Sequence, residues 1–245
     1  MIAVKQKIHN RILEKIYLHM VIDKKIPNKK KGKKRIYLFG TPQYMNYGDI
    51  AIYAAEMKFL KKYLPNYEII SIPERFVSSK IEVVESIMDD KDIIALQGGG
   101  NMGDVWQFPD MLRQDVIRVL GATHRIILFP QSLSFNNKKW LEDMCQILKG
   151  CKNISLFARD EFSYRNMKKY FPDNVKCFLV PDMVLALDNE KNYKIKNNKK
   201  ATFFLRKDKE KLKNPRLEQI KNIISNRYEI KYNDTVENVW YKIDD

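Results

Sequence analysis

Strand-like apolar runs alternate with helix-like segments along most of the chain, and this alternation restricts the fold more than any other feature. Strands are predicted at 36–39, 67–71, 92–96, 125–129, 154–158 and 175–180, with helices at 49–63, 80–88, 110–120, 138–148 and 160–170. Such alternation forms parallel sheets with right-handed crossovers and helices on both faces. The sequence therefore predicts an α/β domain with a doubly wound parallel sheet over residues 36–187.

Further segments flank this domain. Residues 1–35 combine an apolar stripe at helical spacing over 4–22 with a cationic run at 29–35, which predicts a basic amphipathic helix and an exposed linker. Residues 188–200 are polar and rich in lysine, which predicts a second linker. Residues 201–245 hold two strand-like segments and one helix-like segment, too few to bury a core alone. We interpret them as the start of an incomplete second α/β domain.

The formal net charge of +15 is concentrated near the N-terminus, where residues 1–35 carry twelve Lys or Arg and two acidic residues. The rest of the chain is close to balanced and shows no motif of a nucleic-acid-binding module, so nucleic acid is not an expected partner. The basic helix and linker favour contact with an anionic membrane surface, and docking of that helix on its own domain is the alternative.

Other sequence features point to a reduced, soluble protein. Cys145, Cys151 and Cys177 lack the spacing of a zinc site, so we expect reduced thiols and no metal or cofactor. No apolar run approaches the roughly 18 residues of a membrane helix, and the N-terminus lacks a secretory signal. The expected location is the cytoplasm, at the inner face of the membrane where the basic helix binds it.

Polar residues and glycines follow four of the predicted strands. The segments are Asn46-Tyr47-Gly48-Asp49, Gly98-Gly99-Gly100-Asn101-Met102-Gly103-Asp104, Pro130-Gln131-Ser132 and Arg159-Asp160. Ligands bind beyond the carboxyl ends of parallel strands, where glycine amides and an arginine favour an anion. A dinucleotide site is disfavoured, because the strand after the glycines ends in Gln131-Ser132 and not in an acidic residue. Helix caps, turns and an Arg-Asp pair bracing the sheet are the structural alternatives.

The ordered set of these segments, with Ala158-Arg159-Asp160, Pro181-Asp182 and Leu205-Arg206, resembles the polysaccharide pyruvyl transferase family over residues 36 to about 210. The resemblance implies a two-domain fold similar to GT-B glycosyltransferases, with residues 36–187 as the GT-B-like N-terminal domain. It also implies phosphoenolpyruvate as the donor and a lipid-linked or nucleotide-linked sugar as the acceptor. The product would be a pyruvate ketal made during bacterial exopolysaccharide or capsule biosynthesis.

Site residues follow from that resemblance. The glycine-turn amides with Arg159 and Arg206 are expected to hold the donor's phosphate and carboxylate. Ketal formation needs a general acid and a base, for which Asp49 and Asp104 are the candidates, their roles not separated. Arg159 is the third catalytic candidate. The other substrate-binding candidates are Asn46, Gly48, Gly99, Gly100, Asn101, Gln131 and Ser132.

One departure from the family leaves alternatives open. The family carries an Arg-Leu-His motif late in its second domain, and the histidines here are His9, His19 and His124, none of them in such a motif. We expect either a chain that ends before the motif or an inactive form. The alternative functions are a GT-B glycosyltransferase using a sugar nucleotide, and a truncated, inactive scaffold of the polysaccharide assembly machinery.

Overall fold

The computed structural model describes residues 25–44, 46–187, 199–205 and 214–233. These residues group into two compact units, one formed by 25–44 and 51–187 and the other by 46–50, 199–205 and 214–233. The predicted N-terminal helix, most of the predicted linker at 188–200 and Arg206 lie outside the described residues.

Strands and helices alternate from residue 34 to residue 179, as the sequence predicts. The elements are β1 (Lys34–Thr41), α1 (Tyr47–Tyr63), β2 (Tyr67–Pro73), α2 (Val77–Ile87), β3 (Ile93–Leu96), β4 (Gly99–Gly103), α3 (Gln107–Leu120), β5 (Arg125–Ser134), α4 (Lys138–Lys149), β6 (Asn153–Ala158), α5 (Glu161–Tyr170) and β7 (Val175–Leu179). Short 3-10 turns lie at Glu74–Phe76, Asp104–Trp106 and Met183–Ala186. Each strand and helix predicted in this range is confirmed, and β4 is an additional strand.

The strands of the larger unit form one parallel sheet. Its order is β2-β1-β3-β5-β6-β7, and β4 pairs with β5 beyond the end of β3. The connections run in opposite directions from β1, so the order reverses between β1 and β3, which is the topological switch point of a doubly wound sheet. The predicted α/β class is confirmed, and the arrangement is consistent with a GT-B-like N-terminal domain.

The sheet is buried on both faces. Along β1, Ile36 and Leu38 join one apolar cluster with Leu60 of α1, while Tyr37 and Phe39 join a larger one on the other face. The larger cluster draws on α2, α3, α4 and α5 through Val77, Ile81, Val84, Leu112, Val116, Met144, Leu148 and Met167. Because residues 36–39 of β1 are covered on both sides, they are all apolar and do not alternate with polar residues.

The cationic run at 29–35 is anchored at both ends. Lys29 Nζ lies 2.6 Å from a carboxylate oxygen of both Asp89 and Asp92. Arg35 is fully buried, with its Nε 2.8 Å from Glu68 and its backbone N–H donating to Asp92. Cations removed from solvent need paired partners, and both residues have them. The prediction of an exposed linker is therefore wrong for Lys29 and Arg35. Residues 30–34 are exposed.

The three cysteines are free, as expected. Cys151 is buried, and burial raises the pKa of its thiol to about 11, whereas Cys145 and Cys177 are half-buried. No helix in the described parts of the chain is both long enough and apolar enough to cross a membrane.

The smaller unit contains a parallel strand pair with a helix between its strands. Strand β8 (Lys200–Phe204) pairs with β9 (Glu229–Asn233), and α6 (Leu217–Ser225) connects them. The predicted strand, helix and strand are confirmed here. That these elements start an incomplete domain stays a prediction.

Candidate functional site

The carboxyl edge of the larger sheet gathers most of the residues predicted for a site. Because neighbouring strands are parallel, the residues at their ends lie along one edge. Ser132 lies in the last third of β5, Arg159 directly follows β6 and Asp104 directly follows β4. Asp182 comes three residues after β7 and opens the 3-10 turn at Met183–Ala186.

The glycine segment is a strand and not the concave turn that the sequence predicts. Gly99 pairs with Gln131, and Gly103 pairs with Ser134. Gly103 has φ +121°, and a Cβ there would lie 2.0 Å from the Ser134 carbonyl oxygen, so this position needs glycine. The Gly98 N–H donates to Glu56 Oε1 at 2.8 Å. Pairing with β5 thus replaces the predicted turn. The binding of an anion by Gly99 and Gly100 stays a prediction, and Arg159 is a cationic hydrogen-bond donor at the same edge.

The guanidinium of Arg159 is held on two sides. Its Nε donates to Ser132 Oγ at 2.8 Å, and its Nη1 lies 2.7 Å from Asp182 Oδ2. Its Nη2 lies over Gly100 and donates to no group within the described residues. The Arg159 side chain is 27% exposed, so this nitrogen remains near solvent. The arrangement leaves donors of a fixed cation open to a ligand.

A second carboxylate orients Ser132. Ser132 Oγ donates to Asp160 Oδ2 at 2.6 Å, and Asp160 also accepts from the backbone N–H and the hydroxyl of Ser163. Burial alone raises the pKa of Asp160, but the hydrogen bonds from Ser132 and Ser163 and the charge of Arg159 lower it below its usual range. Since Ser132 donates to Asp160, its lone pairs face Arg159. The hydroxyl therefore acts as an acceptor for the guanidinium.

Gln131 is built into the sheet. Its side chain is fully buried, and its Nε2 donates to the backbone carbonyl of Gln97 at 2.7 Å. This bond joins the end of β5 to the end of β3, where the chain breaks before β4. Its Oε1 is buried and has no hydrogen-bond partner among the described residues. The predicted contact of Gln131 with a substrate stays a prediction.

Asp104 holds the loop that follows β5. Its Oδ1 accepts from the N–H of Asn136 at 2.8 Å and its Oδ2 accepts from the N–H of Asn137 at 2.7 Å. Both carboxylate oxygens thus bond to backbone. Charge-assisted bonds of this kind fix the carboxylate and brace the loop. The catalytic role predicted for Asp104 stays a prediction.

Asn101 belongs to a buried polar cluster that sequence reasoning does not find. Its Oδ1 accepts from Arg113 Nη2, and Arg113 Nη1 lies 2.6 Å from Asp110. Asp110 is fully buried and also accepts from Gln114 and from the indole N–H of Trp140. One signal was available in the sequence, because the spacing of Asp110, Arg113 and Gln114 places them on one helix face. The contact of Asp110 with Trp140 on another helix cannot be predicted from spacing.

The remaining predicted residues are Asn46, Gly48, Asp49 and Arg206. Asn46, Gly48 and Asp49 group with the smaller unit, where the Gly48 N–H donates to Asn46 Oδ1 at 3.0 Å and Asp49 lies in the first turn of α1. Their predicted roles stay predictions, as does that of Arg206, which lies outside the described residues. Conversely, Asp160 and Asp182 form part of the geometry although the sequence motifs that contain them did not make them candidate site residues; their positions after strands were the signal.

Among the described residues, no group of three or more His, Cys, Asp or Glu side chains is arranged to hold a metal ion.

Comparison with known proteins gives a family match. A family model described as "Polysaccharide pyruvyl transferase" matches residues 46–245. General stress protein 30 of Bacillus subtilis is 34% identical over 187 residues, which cover 74% of this chain and 52% of that protein. Pyruvyl transferase 1 of Schizosaccharomyces pombe is 33% identical over 160 residues, which cover 64% of this chain and 39% of that protein. The chain spans about half the length of the curated relatives it matches.

A solved structure of an uncharacterized protein from Klebsiella pneumoniae aligns with 83% of this chain and 66% of that one, at 18% identity and a TM-score of 0.47.

Proposed function

The chain belongs to the polysaccharide pyruvyl transferase family, and from this membership we propose that it transfers pyruvate from phosphoenolpyruvate to a sugar as a ketal. The proposed acceptor is a lipid-linked or nucleotide-linked sugar of bacterial exopolysaccharide or capsule biosynthesis, with residues 1–35 contacting the membrane. Relatives named pyruvyl transferase support the transfer. The observation that carries the proposal is the fixed guanidinium of Arg159, whose Nη2 is open at the carboxyl edge.

Phosphoenolpyruvate suits such a guanidinium. The donor carries a carboxylate and a phosphate close together, and arginine binds either group through two parallel N–H···O bonds. Ser132 and Asp182 use one N–H each of the five that arginine offers, so the donors that remain include both on Nη2. A cation that is already oriented loses less conformational entropy when the donor binds.

The proposed reaction needs no other reactant. A proton adds to the methylene carbon of phosphoenolpyruvate and leaves a cation at the central carbon. One sugar hydroxyl attacks that carbon and releases its proton, the carbon–oxygen bond to phosphate then breaks, and a second hydroxyl attacks and releases its own proton. The products are the cyclic ketal and inorganic phosphate. An arginine that binds the donor stabilises the negative charge of the departing phosphate.

Proton transfer in this scheme requires a general acid and a general base. Asp49 and Asp104 are the carboxylates proposed for these two steps, on the evidence of their sequence motifs. Both oxygens of Asp104 also accept backbone hydrogen bonds, which fix its position.

Ligand binding to the whole chain tests the proposal. The unfolding temperature and calorimetric affinity are measured with phosphoenolpyruvate and with a panel of sugar nucleotides. A ligand that binds only the folded state stabilises it by about 2.7 kcal/mol at a hundred times its Kd. We expect this stabilisation with phosphoenolpyruvate, and its loss in Arg159→Ala.

The matched control is Arg118→Ala, which removes an exposed arginine in the last turn of α3 that is paired with Asp115. Its affinity for phosphoenolpyruvate should equal that of the unmodified chain. Selective binding of a sugar nucleotide without binding of phosphoenolpyruvate would overturn the proposal in favour of a glycosyltransferase.

A further inference from the structure

Asp182 is the residue that restrains the outer end of the Arg159 side chain. Arginine has a long, flexible stem, and the bond from Nε to Ser132 fixes only its inner nitrogen. The 2.7 Å contact from Nη1 to Asp182 Oδ2 adds a second point of attachment. Two attachments on different nitrogens fix the plane of the guanidinium. With a single attachment the guanidinium could still rotate.

Asp182 itself is held in place by the backbone. Its Oδ1 accepts from the Val184 N–H at 3.0 Å, which caps the 3-10 turn at Met183–Ala186. Its Oδ2 is left for Arg159. Because one oxygen bonds to the turn and the other to the guanidinium, the carboxylate connects the chain after β7 to the residue after β6.

We propose that Asp182 is a positioning residue that fixes the plane of the Arg159 guanidinium, so that Nη2 and the remaining N–H of Nη1 face the anionic donor together. The inference rests on the proposed function for the identity of that donor. Paired N–H groups in one plane favour an anion with two oxygens in a plane, such as a carboxylate or one face of a phosphate. Asp182 acts through Arg159, with no contact of its own to the donor required.

A double-mutant cycle separates positioning from a general structural effect. The Kd for phosphoenolpyruvate is measured for the unmodified chain, Asp182→Ala, Arg159→Ala and the double variant. We expect Asp182→Ala to weaken binding about 10-fold when Arg159 is present and by less than about 2-fold when it is absent, since residues that act through one another are not additive. Asp182→Asn keeps one acceptor oxygen, which can serve Val184 or Arg159 but not both at their present positions; it should therefore weaken binding less than Asp182→Ala does. Asp173→Asn, an exposed acid of the same unit, is the control for loss of charge.

A second readout needs no donor. The Nε–H of Arg159 is followed by NMR in chain labelled with ¹⁵N-arginine, where a restrained guanidinium gives a slowly exchanging signal. Exchange should speed up in Asp182→Ala and stay unchanged in Asp173→Asn.

The outcomes are distinguishable. Equal loss of affinity from Asp182→Ala with and without Arg159 would refute the positioning role and leave the proposed function standing. Failure of the unmodified chain to bind phosphoenolpyruvate would instead refute the proposed function. In that case the positioning role is tested by the NMR exchange rate of the Arg159 Nε–H alone. An unchanged rate in Asp182→Ala would refute that role.

Discussion

The Nη2 nitrogen of Arg159 lies over Gly100, so close that a methyl group added to residue 100 would come within 2.7 Å of it. Gly100 is exposed and has no left-handed φ angle, so its backbone tolerates a side chain and only the space is restricted. The space for a side chain at residue 100 is therefore limited by the arginine and not by the strand. Gly103 differs, because its φ of +121° and its contact with the Ser134 carbonyl both exclude a Cβ.

We predict that Gly100→Ala displaces the arginine without unfolding the protein. Affinity for phosphoenolpyruvate should fall about 10-fold, while the free energy of unfolding changes by less than about 0.5 kcal/mol, as for an exposed substitution. Gly103→Ala should lower the free energy of unfolding by about 2 kcal/mol or more through strain and loss of the β4–β5 pairing. Urea unfolding measures the stability of the two variants, and calorimetry measures their affinity for phosphoenolpyruvate. Equal destabilisation by Gly100→Ala and Gly103→Ala would contradict the different roles of the two glycines.

Asp104 provides a test of a role assigned from sequence. Asp104→Ala removes two acceptors of backbone hydrogen bonds and should lower the free energy of unfolding by about 2 kcal/mol. Hydrogen exchange at Asn136 and Asn137 should accelerate, since their N–H groups lose their partners. A loss of turnover with unchanged stability and exchange would show that Asp104 takes part in proton transfer.

Asp160 makes stability depend on acid pH. Its bonds to Ser132 and Ser163 favour the charged carboxylate, so its folded pKa lies below its unfolded value, near 3.8. The stability it contributes is present above the unfolded pKa and is lost as the pH falls through the folded pKa. The difference in unfolding free energy between the unmodified chain and Asp160→Asn should thus be constant near neutral pH and shrink below about pH 4. A difference that grows on acidification would contradict this sign.

The buried pair of Asp110 and Arg113 should be costly to break. Asp110→Ala leaves the Arg113 cation and the Trp140 indole N–H without their partner, so the free energy of unfolding should fall by about 3–5 kcal/mol. Trp140 fluorescence should shift with the loss of that bond. Asp115→Asn breaks the exposed pair with Arg118 on the same helix and should cost only about 0.3–0.5 kcal/mol. Similar losses of unfolding free energy in Asp110→Ala and Asp115→Asn would refute the stabilising role of the buried cluster.

The succession of strands and helices was determined by the sequence alone. Apolar runs such as 36–39 and 93–96 are short and bounded by polar residues and turns, and their order in a βαβ pattern allows few topologies. Local periodicity therefore sufficed for the α/β class and for the placing of Arg159 directly after a strand. The motifs at those ends were also enough to suggest the family.

Only the tertiary structure decided which of these residues meet. That Arg159 bonds to Ser132 and Asp182, that Gln131 is buried and that Asp104 bonds to a loop depend on strand order and on rotamers between residues far apart in the chain. The glycine segment also became strand β4, because pairing with β5 outweighs the weak strand propensity of glycine. Local sequence patterns do not predict such contacts, because the free energies of these contacts arise only when distant segments pack together.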